Sequence, residues 1–136
     1  MSRFYRQVAG RAGRTCEYCC AQKRFSNFAF EVEHIVPPFL GGTSELHNLA
    51  LACRSCNLFK SKYLTGIDGS GRETERLFNP RTDGWHEHFR LDPVTNTLEG
   101  LTEIGRGTIN RLRMNSEMQV GARSIWTQVE DMIARD

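Results

Sequence analysis

The sequence predicts an α+β fold with a structural zinc, and three observations predict it. A strand, a long loop, a second strand and a helix follow one another across residues 28–64. A hairpin and two helices follow across residues 85–134. Two Cys-x-x-Cys pairs, Cys16-Glu17-Tyr18-Cys19 and Cys53-Arg54-Ser55-Cys56, bracket the first strand pair. A chain of 136 residues supports one domain with a modest core. We therefore read residues 1–136 as one unit, with a core at about 15–65, a basic N-terminal helix at 3–14 and a C-terminal extension at about 76–136.

Residues 3–14 have Phe4, Val8 and Ala12 on one helical side, with Arg3, Gln7, Arg11 and Arg14 on another. Residues 16–24 form the first cysteine knuckle. Residues 28–36, FAFEVEHIV, are rich in aromatic and β-branched residues and read as a strand that Pro37-Pro38 stops. Gly41-Gly42 marks a turn in the loop. Residues 49–52, LALA, pair back as a second strand. From Ser55 to about Leu64 the pattern is helical, with Leu58 and Phe59 inward and Gly66 as the stop. Asn57 and Lys60, three apart, share a face of that helix.

Residues 66–84 are loop-rich, with Gly66, Gly69, Gly71, Pro80 and Gly84. Residues 85–100 read as a hairpin, WHEHFRL then TLEGL, which puts His86 and His88 on one strand face. Residues 108–114 and 117–134 read as helices, Ser116 and Gln119 forming a capping box. Met118, Ala122, Ile125, Val129 and Met132 have helical spacing and are expected in the core.

Composition is that of a soluble globular protein, 39% hydrophobic and 25% charged. No apolar run reaches the length of a membrane span, so no membrane partner is expected. Net charge is only +2, but its placement is uneven. Residues 1–30 carry Arg3, Arg6, Arg11, Arg14, Lys23 and Arg24 against the single acid Glu17. Such a basic end suits phosphate, as it also suits a solvated helix face. The Arg-rich stretch runs directly into Cys16, which leaves no room for a cleaved transit peptide ahead of the first cysteine.

Five cysteines, an odd number, argue against a pure disulfide framework. Two Cys-x-x-Cys hooks supply the four soft ligands that tetrahedral zinc requires: Cys16, Cys19, Cys53 and Cys56. A redox dithiol would explain either hook but not both. Four thiolates leave no open position, so this zinc is expected to be structural and the compartment reducing, hence cytoplasmic. Cys20 remains, read as a small semi-buried hydrophobe.

Between the hooks stands Glu33-His34. Hydrolysis of a phosphodiester requires a base for water and a cation for the phosphate. Histidine suits the first task near neutral pH. Carboxylate and amide oxygens suit a hard cation such as Mg²⁺ or Mn²⁺. On a regular strand Glu33 and His34 point to opposite faces, so one shared site requires the strand to end or bend there. On residue chemistry alone, a structural histidine remains the ordinary alternative.

The stretches CEYC, EVEHIVP, GGTSELHNLAL and CRSCNLFKSK, in this order, resemble the HNH endonuclease family, whose core is a ββα-metal (His-Me) finger. The resemblance covers Cys16 to Lys60. It implies that His34 is the general base, that Glu33 is the metal-ligand acid, and that Asn48 steadies the loop carrying the histidine. It further implies that Asn57 completes the site of a catalytic Mg²⁺ or Mn²⁺ and that Lys60 lies near phosphate. The cysteines correspond to the zinc knuckles of many members. Glu33 stands where Asp is frequent, one methylene longer. Residues beyond 76 resemble the tail of small stand-alone bacterial HNH proteins, a likeness that assigns no chemistry. The expected activity is metal-dependent DNA cleavage, with Arg3, Arg11, Arg14, Lys60 and Lys62 as candidate nucleic-acid contacts and Arg81, Arg106 and Arg111 as weaker ones. Oligomeric state is left open.

Two other readings compete. A non-catalytic zinc-knuckle module that binds nucleic acid would use the hooks and the basic end without Glu33 or Asn57. A zinc nucleobase deaminase would require His-x-Glu and Pro-Cys-x-x-Cys. This chain has Glu-His, and Ala52 precedes Cys53, which excludes it.

Overall fold

A computed structural model describes the backbone of residues 3–135 and the side chains of residues 3–130. The chain is a mixed α and β structure with two small antiparallel sheets. Helix α1 (Tyr5–Arg11) buries Val8 and Ala9 against the pair formed by β1 (Glu31–His34) and β2 (Leu49–Ala52). The register sets Glu31 opposite Ala52, Glu33 opposite Ala50 and His34 opposite Leu49. All four residues of β2 are buried. An unalternating apolar strand of this kind is covered on both faces. Helix α2 (Arg54–Lys60) follows at once.

Between β1 and β2 the loop is fixed by one side chain. Asn48 accepts from Val36 N at 2.9 Å and donates Nδ2 to Val36 O at 2.9 Å and to Thr43 O at 2.8 Å. Arg11 ties α1 to the end of the same loop, donating to Leu46 O at 2.9 Å and Leu49 O at 2.6 Å. The strand is shorter than its β-branched pattern suggests, Glu31–His34 rather than 28–36.

The C-terminal part carries a one-turn helix α3 (Trp85–His88), a hairpin of β3 (Phe89–Leu91) and β4 (Leu98–Gly100), and helices α4 (Glu103–Leu112) and α5 (Glu117–Arg135). Phe78 joins the two parts. Its ring packs edge-on against Tyr18 at 6.4 Å and Phe89 at 5.2 Å. Trp85 adds a hydrogen bond from Nε1 to Tyr18 O at 2.8 Å. Helix α4 approaches α3 and the 66–74 loop closely because it carries Gly105 and Gly107. A Cβ at Gly105 would overlap the His88 carbonyl, and one at Gly107 would overlap Thr74.

Four expectations are corrected here. Leu58 is solvent-exposed on α2, and the helix packs through Cys56 and Lys60 instead. Residues 85–88 are helical, so His86 and His88 do not share a strand face. His88 is buried with Nδ1 2.6 Å from Thr102 Oγ1. Helix α4 begins at Glu103, where Thr102 caps it by accepting from Gly105 N at 3.0 Å. In α5 the first half of the apolar stripe faces solvent, Met118 at 86% and Ile125 at 64% exposure, while Val129 is half-buried and Arg123 is buried at 2%. Met132 lies outside the described side chains. The Ser116–Gln119 cap forms, with Gln119 N donating to Ser116 Oγ at 3.3 Å.

Candidate functional site

The two hooks meet. The Sγ atoms of Cys16, Cys19, Cys53 and Cys56 lie within 4.8 Å of one another, all buried. Cys19 and Cys53 are 3.7 Å apart. Tetrahedral zinc with bonds of about 2.3 Å places its sulfurs about 3.8 Å apart, so the donor set and its dimensions fit this ion. Each hook makes a backbone bond to its own leading sulfur: Cys19 N to Cys16 Sγ at 3.5 Å and Cys56 N to Cys53 Sγ at 3.4 Å. The second bond also caps α2. Burial pushes the Cys16 thiol up, while the proximity of the other three sulfurs pulls Cys53 down. Cys20 is outside the cluster, and burial raises its thiol to about 12.

Tyr18, held between the hook cysteines, is buried and donates its hydroxyl to Glu33 Oε2 at 2.7 Å. The other carboxylate oxygen of Glu33 pairs with Lys60 Nζ. Lys60 also donates to Ile35 O at 3.0 Å and His34 O at 3.3 Å. Burial pushes the Glu33 carboxyl up, and Lys60 and Tyr18 pull against it. Both members of the pair are buried, Lys60 at 2% and Glu33 at 4% exposure. Lys60 is therefore not at the surface where a phosphate contact was expected. A lysine in the last turn would otherwise reach solvent, but here the end of β1 covers it.

Asn57 also differs from expectation. Its Nδ2 donates to Glu31 and not to Glu33. Strand residues two apart share a face, so Glu31 and Glu33 both turn toward α2. Their partners Asn57 and Lys60, three apart on the helix, form two adjacent rungs. Glu31 was passed over in the sequence. Its signal was there: it is the only other acid of β1 with the parity of Glu33.

His34 points away from this face. Its Nε2 lies 3.0 Å from Ser44 Oγ, at the exposed end of the loop that Asn48 clamps. Ser44 was not anticipated, because ten residues separate it from His34 and only the folded loop brings them together. A groove of about 770 Å³ runs beside it, lined by Arg3, Phe4, Ser44, Glu45, Leu46 and His47.

The basic residues divide. Arg3, Arg14 and Lys62 are exposed. Arg11 is occupied by the Leu46 and Leu49 carbonyls, so it acts as a structural tie. Arg81 pairs with Glu17. Arg111 donates to Thr65 O at 2.9 Å and stacks 3.9 Å from the Tyr63 ring centre. Arg106 is exposed.

No curated protein and no solved structure matches the chain. Residues 16–62, which contain the four clustered cysteines together with Glu33, His34, Asn48, Asn57 and Lys60, match the family model described as HNH endonuclease, the family that the sequence motifs resemble.

Proposed function

We propose that the protein is a divalent-metal-dependent HNH endonuclease that hydrolyses DNA phosphodiester bonds, with His34 as general base. The observation that carries this reading is the setting of His34. It stands at the end of β1 on a loop pinned by Asn48, with a hydroxyl 3.0 Å from one ring nitrogen and the Arg3 groove alongside. The family match over residues 16–62 agrees with nuclease or nucleic-acid chemistry. Ser44 Oγ accepts from Nε2–H in this reading, leaving the Nδ1 lone pair to take a proton from water. Asn48 acts through the loop and is a positioning residue. Arg3, Arg14 and Lys62 supply exposed positive charge for the phosphate backbone.

The catalytic cation would be held by Asn57 and the β1 carboxylates, Glu33 as the resemblance implies and Glu31, which already meets Asn57. These hard oxygen donors fit Mg²⁺ or Mn²⁺. Such a cation would lie on the face of β1 opposite His34, so the scissile phosphate would have to lie across the end of the strand; there the cation would neutralise it and stabilise the leaving 3′ oxygen, giving 5′-phosphate and 3′-hydroxyl ends. Lys60, buried on Glu33, favours the other reading, a zinc module that binds nucleic acid without cutting it.

A nicking assay on supercoiled plasmid separates the two. Wild type is expected to cut in Mg²⁺ or Mn²⁺, and His34→Ala to lose at least about 100-fold in rate. Activity of His34→Ala at the wild-type level would remove the assigned base. Plasmid binding with no turnover in any of Mg²⁺, Mn²⁺ and Zn²⁺ would select the non-catalytic module. Glu31→Gln and Glu33→Gln, compared for Mn²⁺ affinity by calorimetry, show which carboxylate holds the cation.

A further inference from the structure

We propose that Arg123, on the C-terminal helix, is the counter-cation of the zinc tetrathiolate and sets how tightly the knuckle holds its metal. This holds whether or not the protein cleaves nucleic acid.

Zinc with four thiolates carries a net charge of −2, and here it would be buried, since none of the four cysteines is more than 7% exposed. A buried net charge is costly unless hydrogen bonds or an opposite charge offset it. The hooks supply two backbone N–H groups, of Cys19 and Cys56, which donate to the sulfurs of Cys16 and Cys53. The rest comes from α5. Gln119 places Nε2 3.9 Å from Cys56 Sγ. Arg123 follows four residues later, on the same side of the helix.

The guanidinium has an unusual environment. It is 2% exposed. Nη1 donates to Asn96 O at 2.7 Å and Nη2 to Met114 O at 2.8 Å, which fixes its plane. Nε is buried with no protein partner. No carboxylate forms an ion pair with Arg123 among the described residues. Burial pulls the Arg123 pKa down on balance, and the opposing pull comes from Cys19, Cys56, Cys20 and Cys53. A buried arginine with two neutral carbonyls and no carboxylate is poorly compensated by itself, as is a buried dianionic cluster. Each provides what the other lacks.

The same residue accounts for the side on which α5 packs. Met118, Ala122 and Ile125 of its apolar stripe are left in solvent because the partner it packs on is a charged cluster.

The experiment is a zinc-driven folding titration in metal-buffered solution, read by circular dichroism, on the full chain. Arg123→Lys keeps the charge and is expected within threefold of the wild-type zinc affinity. Arg123→Gln keeps hydrogen-bonding capacity without charge and is expected to bind at least tenfold more weakly. Gln119→Glu sets a negative charge beside Cys56 and is expected to weaken zinc at least fivefold. Equal losses in Arg123→Lys and Arg123→Gln would reduce Arg123 to its two carbonyl bonds and overturn the proposal. So would wild-type affinity in Arg123→Gln. If Arg123→Gln does not fold at any zinc concentration, Gln119→Glu decides, and wild-type affinity there overturns it. A second readout is independent of folding energy. Loss of the cation makes zinc-bound thiolates more nucleophilic, so zinc-loaded Arg123→Gln is expected to be alkylated faster than wild type, and Gln119→Glu likewise. Unchanged rates in both would overturn the proposal.

Discussion

Lys60 shows what single residues can and cannot reveal. In the sequence it is a cation on a helix face, three residues after Asn57. In the fold it is one of the most buried polar side chains, with Glu33 and two carbonyls as its partners. Removing one member of a buried pair leaves the other uncompensated, at a cost of about 3–5 kcal/mol. Lys60→Met is therefore expected to destabilise by about that amount, and the double variant with Glu33→Gln to recover more than half. Urea denaturation of the four proteins checks this, and losses below about 1 kcal/mol would mean a surface pair. Asp83 gives a pH dependence. Burial pushes its carboxyl up, but the Arg76 fork, at 2.5 and 3.0 Å, and the Asn79 N–H at 2.9 Å outweigh it, and the net shift is downward. A lowered folded-state value means the stabilisation is fully present above the ordinary carboxylate range. It is lost as pH falls through the folded value. Asp83→Asn is expected to cost about 1 kcal/mol at pH 7, the Arg76 end being solvent-facing. The gap to wild type should close toward pH 2, as thermal melts across pH would show.

At the scale of elements, legibility followed the kind of signal. The cysteine hooks were readable because metal chemistry dictates both residue type and spacing. Strand β2 was readable because LALA is short, apolar and bounded by the second hook. Helix α5 was readable as a helix, but not its buried side. An apolar stripe ordinarily faces a core, and nothing in the sequence says that its neighbour is a thiolate cluster served by Arg123 and Gln119. Residues 85–88 open on a strand-forming aromatic, Trp85, yet the turn they make brings its indole to the Tyr18 carbonyl, and tertiary contact overrides local preference. Ser44 was illegible as a partner for His34 because ten residues separate them and only the folded loop joins them. Glu31 was legible from its parity with Glu33, though its pairing with Asn57 crosses from strand to helix. Helix α4 makes a prediction of its own. Gly105→Ala would normally favour a helix. Here the added methyl meets the His88 carbonyl, which is backbone and cannot simply rotate away. The expected result is destabilisation of about 1–3 kcal/mol, and a raised melting temperature would show that α4 can shift.

At the scale of the molecule, the cysteine cluster is where N-terminal, central and C-terminal segments converge. Removing zinc is expected to unfold more than the knuckle, because the hooks position Tyr18, and Tyr18 in turn holds Glu33 and the Trp85 indole. Chelation of the full chain should then release the Trp85 fluorescence toward that of an exposed indole, together with a loss of helical dichroism. A Trp126→Phe background isolates the signal. Unchanged spectra after complete zinc extraction would mean the core stands without its metal.

Tyr18 carries one more consequence, and it concerns timing. Its ring is placed by the cysteines on either side of it, and its hydroxyl holds the carboxylate of Glu33. A chain emerging from synthesis cannot set that carboxylate in place before Cys53 and Cys56 have been made and gathered with the first hook. The acid face of β1 thus has a built-in order of assembly, and a chain truncated before Cys53 is expected to lack it.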